Sequence, residues 1–253
     1  MTSTGAEVRA RVLDLANHAG AGALRTMERF VLRASEVPTT PFLSSDTFDW
    51  IPRLEAATGS IQAELDTVLS HRADLPNFQD ISTDQASITD DDKWKTFFFF
   101  AYGFRSDANC ARCPETARLL DSVPGMTTAF FSILGPRKHI PPHRGPWRGV
   151  LRYHLGLRVP GPEGACRIRV GPQIEHWHEG GSLVFDDGYE HEAWNDTDEV
   201  RVVLFADVLR PLRAPAGWIN RGLLKAIAYS PFVRDARARH EAWERRFETL
   251  ARR

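Results

Sequence analysis

The sequence predicts a mainly β protein, a closed or two-sheet architecture such as a jelly roll, with helices before and after it. Three observations carry this. Between Trp94 and Asp207, short runs of β-branched and aromatic residues recur, separated by Gly/Pro turns and with hardly any helical period between them. Some runs alternate in character (LRYHLGL) and others are continuously apolar (WKTFFFFAYGF), the two patterns of strands buried on one face or on both. Outside this stretch the apolar spacing becomes that of amphipathic helices.

Residues 1–40 read as an N-terminal helical segment. Val8, Val12 and Leu15 share a stripe, Phe30 to Leu32 continue the apolar pattern, and Gly20 and Gly22 impose a kink or a break into two helices. Pro38 and Pro41 end it. Residues 41–213 form the β domain with a leading helix: Thr47 to Asp49 resemble a cap, and WIPRLEAATGSIQAELDTVLSH follows as one amphipathic helix. Residues 73–92 are polar and loop-like. Strands are expected at 94–104, 127–134, 149–157, 166–170, 182–186, 191–194 and 200–208, with a short helix at PETARLLD. Residues 214–253 form a basic helical tail, in which Ser230-Pro231 caps the last helix with proline at its first position.

A chain of 253 residues, 42% apolar, suffices for one domain with a real core. No apolar run approaches the ~18 residues of a membrane span, and the N-terminus lacks a signal-peptide core, so a cytoplasmic protein is expected. Net charge is −1, but eleven Lys/Arg against four Asp/Glu lie from Arg210 onward, leaving the body acidic. Such a tail suits peripheral contact with an anionic membrane, an acidic partner, or packing on its own body. The acidic barrel and the lack of a recognition motif argue against nucleic acid. Cys110 and Cys113 form a CxxC without a second pair, so a structural thiol pair is expected rather than a zinc site.

Two histidines stand in distinctive settings. His143 follows Pro141-Pro142 and precedes Gly145-Pro146, a stiff turn that could hold a metal ligand or simply be a stiff surface turn. His191 sits in FDDGYEHEAWND, where the competing reading is a solvated acidic turn. A carboxylate beside a metal-binding His can orient its ring, a role open to Glu190 or Glu192. In LRYHLGL the period of two separates Arg152 and His154 from Leu151, Tyr153 and Leu155. VRVVLFADV raises the same question at Arg201. If these faces point inward, each cation needs a partner, and an anionic ligand is one solution; a solvated outer face is the other. Position 145 is Gly, so a two-His-one-carboxylate triad is incomplete.

HIPPHRGP, RYHLGL, the EHWHEGGSLVFDD segment, YEHEAWND and RVVLFADVLRP occur in order over residues 94–211 and together resemble the aspartyl/asparaginyl β-hydroxylase family of Fe(II)/2-oxoglutarate-dependent oxygenases. The resemblance implies a cupin-like double-stranded β-helix in which His143 and His191 bind Fe(II), with water in the place of the carboxylate. It implies that Arg201 and Ser132 hold the distal carboxylate of 2-oxoglutarate, that His154 lies beside the chelating end, and that Trp94 lines the pocket. Arg152 would face both co-substrate and substrate. O2 would complete the reaction, hydroxylating an unactivated C–H of an amino-acid or peptidyl substrate. Peptide-hydroxylating members carry a second arginine two residues before the one matching Arg152; Val150 stands there, which opens the same chemistry on a lipid acyl chain. A cupin-like binding protein without turnover is the reading from another class.

Overall fold

The computed structural model describes residues 26–82, 86–101 and 103–250. The expected Val8–Val12–Leu15 stripe and the Gly20/Gly22 break lie outside the described residues; residues 26–33 are helical (α1). Helices α2 (Ile51–Ala56), α3 (Thr58–Leu69) and α4 (Phe78–Ile81) precede the first long strand. Eleven strands follow the chain as β1 (Phe42–Leu43), β2 (Trp94–Ala101), β3 (Phe104–Arg105), β4 (Met126–Leu134), β5 (Lys138–His143), β6 (Val150–Arg158), β7 (Cys166–Val170), β8 (Gln173–His176), β9 (Ser182–Phe185), β10 (His191–Asn195) and β11 (Arg201–Leu209). Between β3 and β4 lie α5 (Asp107–Arg112) and α6 (Pro114–Asp121); α7 (Ala216–Ala228) and α8 (Pro231–Leu250) close the chain.

The strands form a seven-stranded sheet, β1-β9-β6-β11-β4-β2-β3, and a four-stranded sheet, β5-β10-β7-β8, with antiparallel pairing throughout. This is the jelly-roll core that the alternating runs predict. The large sheet is buried on both faces. Its outer face meets the helices: Leu151, Tyr153 and Leu155 of β6 and Leu204 and Ala206 of β11 pack with Leu54, Ile61 and Leu65 of α2 and α3. Its inner face meets the small sheet through Trp94, Leu134, Phe185 and Val203 against Ile140, Ile168 and Ala193.

Four expectations are corrected. The single helix over 50–71 is two, broken at Ala57, where the Thr58 hydroxyl donates to the Glu55 carbonyl at 2.7 Å and competes with the helical ladder. His143 does not sit in a turn: it ends β5, whose Pro141-Pro142 lie on the edge of the small sheet, opposite a register shift between His191 and Ala193. Proline has no N–H to donate and is tolerated only at such an edge or bulge. The polar stretch 73–92 holds α4, closed by a capping box between Asn77 and Asp80, which brings Phe78 to the barrel mouth. The single strand expected over 94–104 is two antiparallel partners, β2 and β3, and short β1 and β8 had no signal in the sequence.

The basic C-terminal helices pack on the barrel. Asn220 bonds Gly149 and Trp147, and Trp243 of α8 donates from Nε1 to the Asp74 carbonyl. Cys110 and Cys113 straddle the α5–α6 junction; burial pushes their thiols up to about 11 and about 12, so neither is a reactive thiolate near neutral pH.

One buried carboxylate ties the strand ends together. Asp186, after β9, accepts from Arg148 before β6 and from Arg210 after β11 (2.6 Å), and the Arg210 and Asp186 side chains are 0% exposed. Removing the acid strands two cations in a dry site. Asp186→Ala is therefore expected to lower unfolding stability by about 3–5 kcal/mol, measured by urea denaturation; a loss under about 1 kcal/mol, the range of an exposed pair, would contradict this role.

Candidate active site

Alternation along β6 and β11 decides what faces the barrel interior. Across these strands Arg152 lies opposite Asp207 and His154 opposite Phe205; across β11 and β4, Arg201 lies opposite Leu134 and Val203 opposite Ser132. All seven residues that the sequence nominates, Trp94, Ser132, His143, Arg152, His154, His191 and Arg201, line one cavity of about 100 Å3. Neither histidine lies in a solvated turn.

His143 and His191 are direct partners in the β5–β10 register, and their ring centroids are 4.1 Å apart. The Nδ1–H of His143 donates to the Pro141 carbonyl at 2.8 Å, and that of His191 to the Tyr189 carbonyl at 3.0 Å. In both rings Nδ1 is thus engaged by a backbone carbonyl. Burial lowers the pKa of His143, and lowers that of His191 to about 3 with help from His143 and Arg152, so both rings are neutral near pH 7. The carboxylates expected to orient the rings do not: Glu192 accepts from Arg169 and His139, and Glu190 pairs with Arg169. Backbone carbonyls do that work, and the dipeptide before His143 supplies one of them.

Among the described residues, no group of three His, Cys, Asp or Glu side chains has the geometry to hold a metal. Gly145 lies against the Asp187 carboxylate, so any side chain at 145 requires Asp187 to move. Asp187 is 0% exposed and forms an ion pair with Arg152 at 2.9 Å. Its carboxyl is raised to about 7, by burial first, opposed by Arg152 and assisted by Asp207. Arg152 also donates to Asp207 at 3.0 Å and lies 4.4 Å over the Phe205 ring. Its charge is already answered by protein carboxylates.

Arg201 is different. It is 2% exposed, its Nε and Nη1 have no hydrogen-bond partner, and its guanidinium lies 4.4 Å over the Trp177 ring. Burial pushes its pKa down to about 10, still cationic near neutral pH. Both nitrogens of His154 also lack partners, and burial with the nearby Arg201 and Arg152 holds that ring neutral. Trp94 Nε1 donates to Ser132 Oγ at 3.1 Å, which leaves the Ser132 proton to donate onward. Unpaired buried polar groups are expensive, and the donors among them are open to a small anionic ligand.

Sequence reasoning missed Trp177, Asp187 and Asp207. Asp207 was legible by the same alternation that marks Arg201, since 201, 203, 205 and 207 share a face. Asp187 was not, because adjacent aspartates in a turn carry no sign of which is buried.

The isolation of Arg201 has a stability consequence. Arg201→Met is expected to raise the stability of the ligand-free protein by about 1–3 kcal/mol, read from thermal unfolding without added acids. A loss of stability would mean that the guanidinium serves the fold.

Residues 55–211 match the family model described as aspartyl/asparaginyl beta-hydroxylase. The ornithine lipid ester-linked acyl 2-hydroxylase of Rhizobium tropici is 46% identical over 220 residues, 87% of this chain and 78% of that protein. The human aspartyl/asparaginyl beta-hydroxylase is 36% identical over 127 residues, 48% of this chain but 16% of that protein. Aspartate beta-hydroxylase domain-containing protein 2 of mouse is 32% identical over 193 residues, 72% of this chain and 54% of that protein, so the chain spans little more than half of this relative and a small part of the human one. A solved cupin domain of a transcriptional regulator from Enterobacter cloacae is similar at a TM-score of 0.32 and 12% identity, over 46% of this chain and 96% of its own. With its ordered motifs gathered around one barrel cavity, this chain belongs to the aspartyl/asparaginyl β-hydroxylase family.

Proposed function

We propose that this protein is an Fe(II)- and 2-oxoglutarate-dependent hydroxylase acting on the acyl chain of a lipid. The observation that carries the catalytic reading is the buried, unpartnered Arg201 in the same cavity as two neutral imidazoles whose Nδ1 atoms are already engaged. His143 and His191 would hold the metal, a two-imidazole set that suits Fe(II) with the remaining positions open. When bound, the metal supplies oxidative decarboxylation of 2-oxoglutarate to succinate and insertion of one oxygen atom from O2 into a C–H bond.

The chain's own groups do the rest. Arg201 neutralises the distal carboxylate of the diacid, and the Ser132 hydroxyl, held by Trp94, donates to it. His154 meets the ligand as a neutral ring. Phe185 and Phe205 pack against that ring at 5.0 and 5.1 Å and keep water from the reacting carbon.

The substrate class rests on two observations. Arg152 is committed to Asp187 and Asp207, and Val150 is buried against α7 with Trp147 and Leu224, so the pocket offers poor purchase for an aspartyl side chain. The relative from Rhizobium tropici is named for acting on a lipid acyl chain. An amino-acid or peptidyl substrate is the second reading, from the family's other members.

No described helix is long and apolar enough to cross a membrane, so access to lipid would be peripheral. On α7, Trp218 is 70% and Ile219 45% exposed, and Tyr229 after it is 82% exposed, beside exposed Arg221 and Lys225. Aromatic and basic side chains on one helix suit an anionic bilayer surface.

Wild-type protein supplied with Fe(II), 2-oxoglutarate and O2 is expected to convert an acyl lipid into a species one oxygen heavier, with succinate released, and His191→Ala to abolish both. Turnover confined to amino acids or peptides would overturn the lipid reading; no succinate with any substrate would leave a binding protein. Vesicles containing phosphatidylglycerol are expected to bind the protein in a salt-sensitive manner, and Trp218→Ala with Tyr229→Ala to weaken that binding several-fold. Point substitutions are the right tool, because deleting the tail would remove the buried Asn220, Leu224 and Trp243.

A further inference from the structure

A second cavity, of about 170 Å3, adjoins the first and shares Phe78, Pro146, Arg152 and Phe205 with it. Its floor is a ladder of rings crossing β2, β4 and β11: Phe98 lies 4.5 Å from Phe130, and Phe130 stacks on Phe205 at 4.2 Å. Its roof is α8, through Val233, Ala236 and His240. The ladder therefore runs from Phe205, beside His154 in the catalytic cavity, to the underside of the C-terminal helix.

We propose that this groove seats the hydrocarbon chain of the substrate, which leaves the catalytic cavity past Arg152 and Pro146 and runs along the phenylalanine ladder beneath α8. The assignment rests on the reading of the site as an acyl hydroxylase. Hydroxylation near the head of an acyl chain requires the rest of that chain to lie somewhere continuous with the metal site, and the ladder is the apolar floor that connects there. The lining is mostly apolar, with Ser82, Thr128, Asp207 and Arg237 among its polar members, so it is the ladder side of the groove that favours hydrocarbon over water.

A peptide fits poorly. Each residue brings a backbone N–H and C=O that the ring ladder itself cannot satisfy, whereas a run of methylenes lying along it asks for nothing. His240, on the roof, packs against Phe98 and Phe104 at 6.1 and 5.6 Å as a neutral ring, its pKa lowered to about 4 by burial, and both of its buried nitrogens are without a hydrogen-bond partner. Arg237, over Phe104 at 4.9 Å and paired with Glu241, lies on the same helix one turn before it.

The probe is cis-parinaric acid, whose fluorescence rises on entering an apolar site, titrated into the metal-free protein. Ala236→Trp fills the groove from the helix and Ala101→Leu from the barrel side; each is expected to weaken binding about tenfold, the equivalent of about two lost methylenes. Arg239→Trp, on the exposed side of α8, is expected to leave it unchanged. In turnover, Ala236→Trp is expected to shift preference from palmitoyl towards octanoyl substrates. Equal parinarate affinity in all four proteins, or an unchanged chain-length preference, would overturn the groove while leaving acyl hydroxylation standing. Groove-dependent parinarate binding by a protein that hydroxylates no acyl substrate would support the seat and sink the reaction assigned to it.

Discussion

Burial of the large sheet on both faces is the constraint from which the rest follows. With helices on one side and the small sheet on the other, no strand of its centre can place a polar row in water. Each of β4, β6 and β11 turns an apolar row towards the helices and a mixed row into the barrel. Arginine, histidine and serine on the inner row are thereby forced into a dry space, where they must be paired or await a ligand. Arg152 is paired. Arg201 and His154 are buried with ring or guanidinium nitrogens that have no hydrogen-bond partner.

The acidic turn after β9 shows how closely fold and site are joined. Two adjacent aspartates leave the strand in opposite service. Asp186 binds the arginines that hold the ends of β6 and β11, and Asp187 reaches back to Arg152. Asp187 also occupies the space beside Gly145.

The C-terminal helices extend the same logic outward. They cover the open end of the phenylalanine ladder while leaving a face of α7 exposed, rich in aromatic and basic side chains. On the reading proposed above, the active-site cavity, the apolar groove and a bilayer-facing surface would belong to one connected design, in which the basic tail is partly core and partly contact surface.

Much of this was legible in the chain itself. Alternation of two in LRYHLGL assigned Arg152 and His154 to one face, because a strand has no other way to distribute its side chains, and VRVVLFADV posed the same question at Arg201. The continuous aromatics of β2 signalled burial on both sides, and the ordered histidine motifs carried the family. What the chain could not state was which face is inside, how two distant histidines come into register, that Pro141-Pro142 belong to an edge strand, or which of Asp186 and Asp187 meets which arginine. Those depend on contacts between segments far apart in sequence. Local pattern determines the rows that a strand presents, but only the closing of one sheet over another decides which row loses its water.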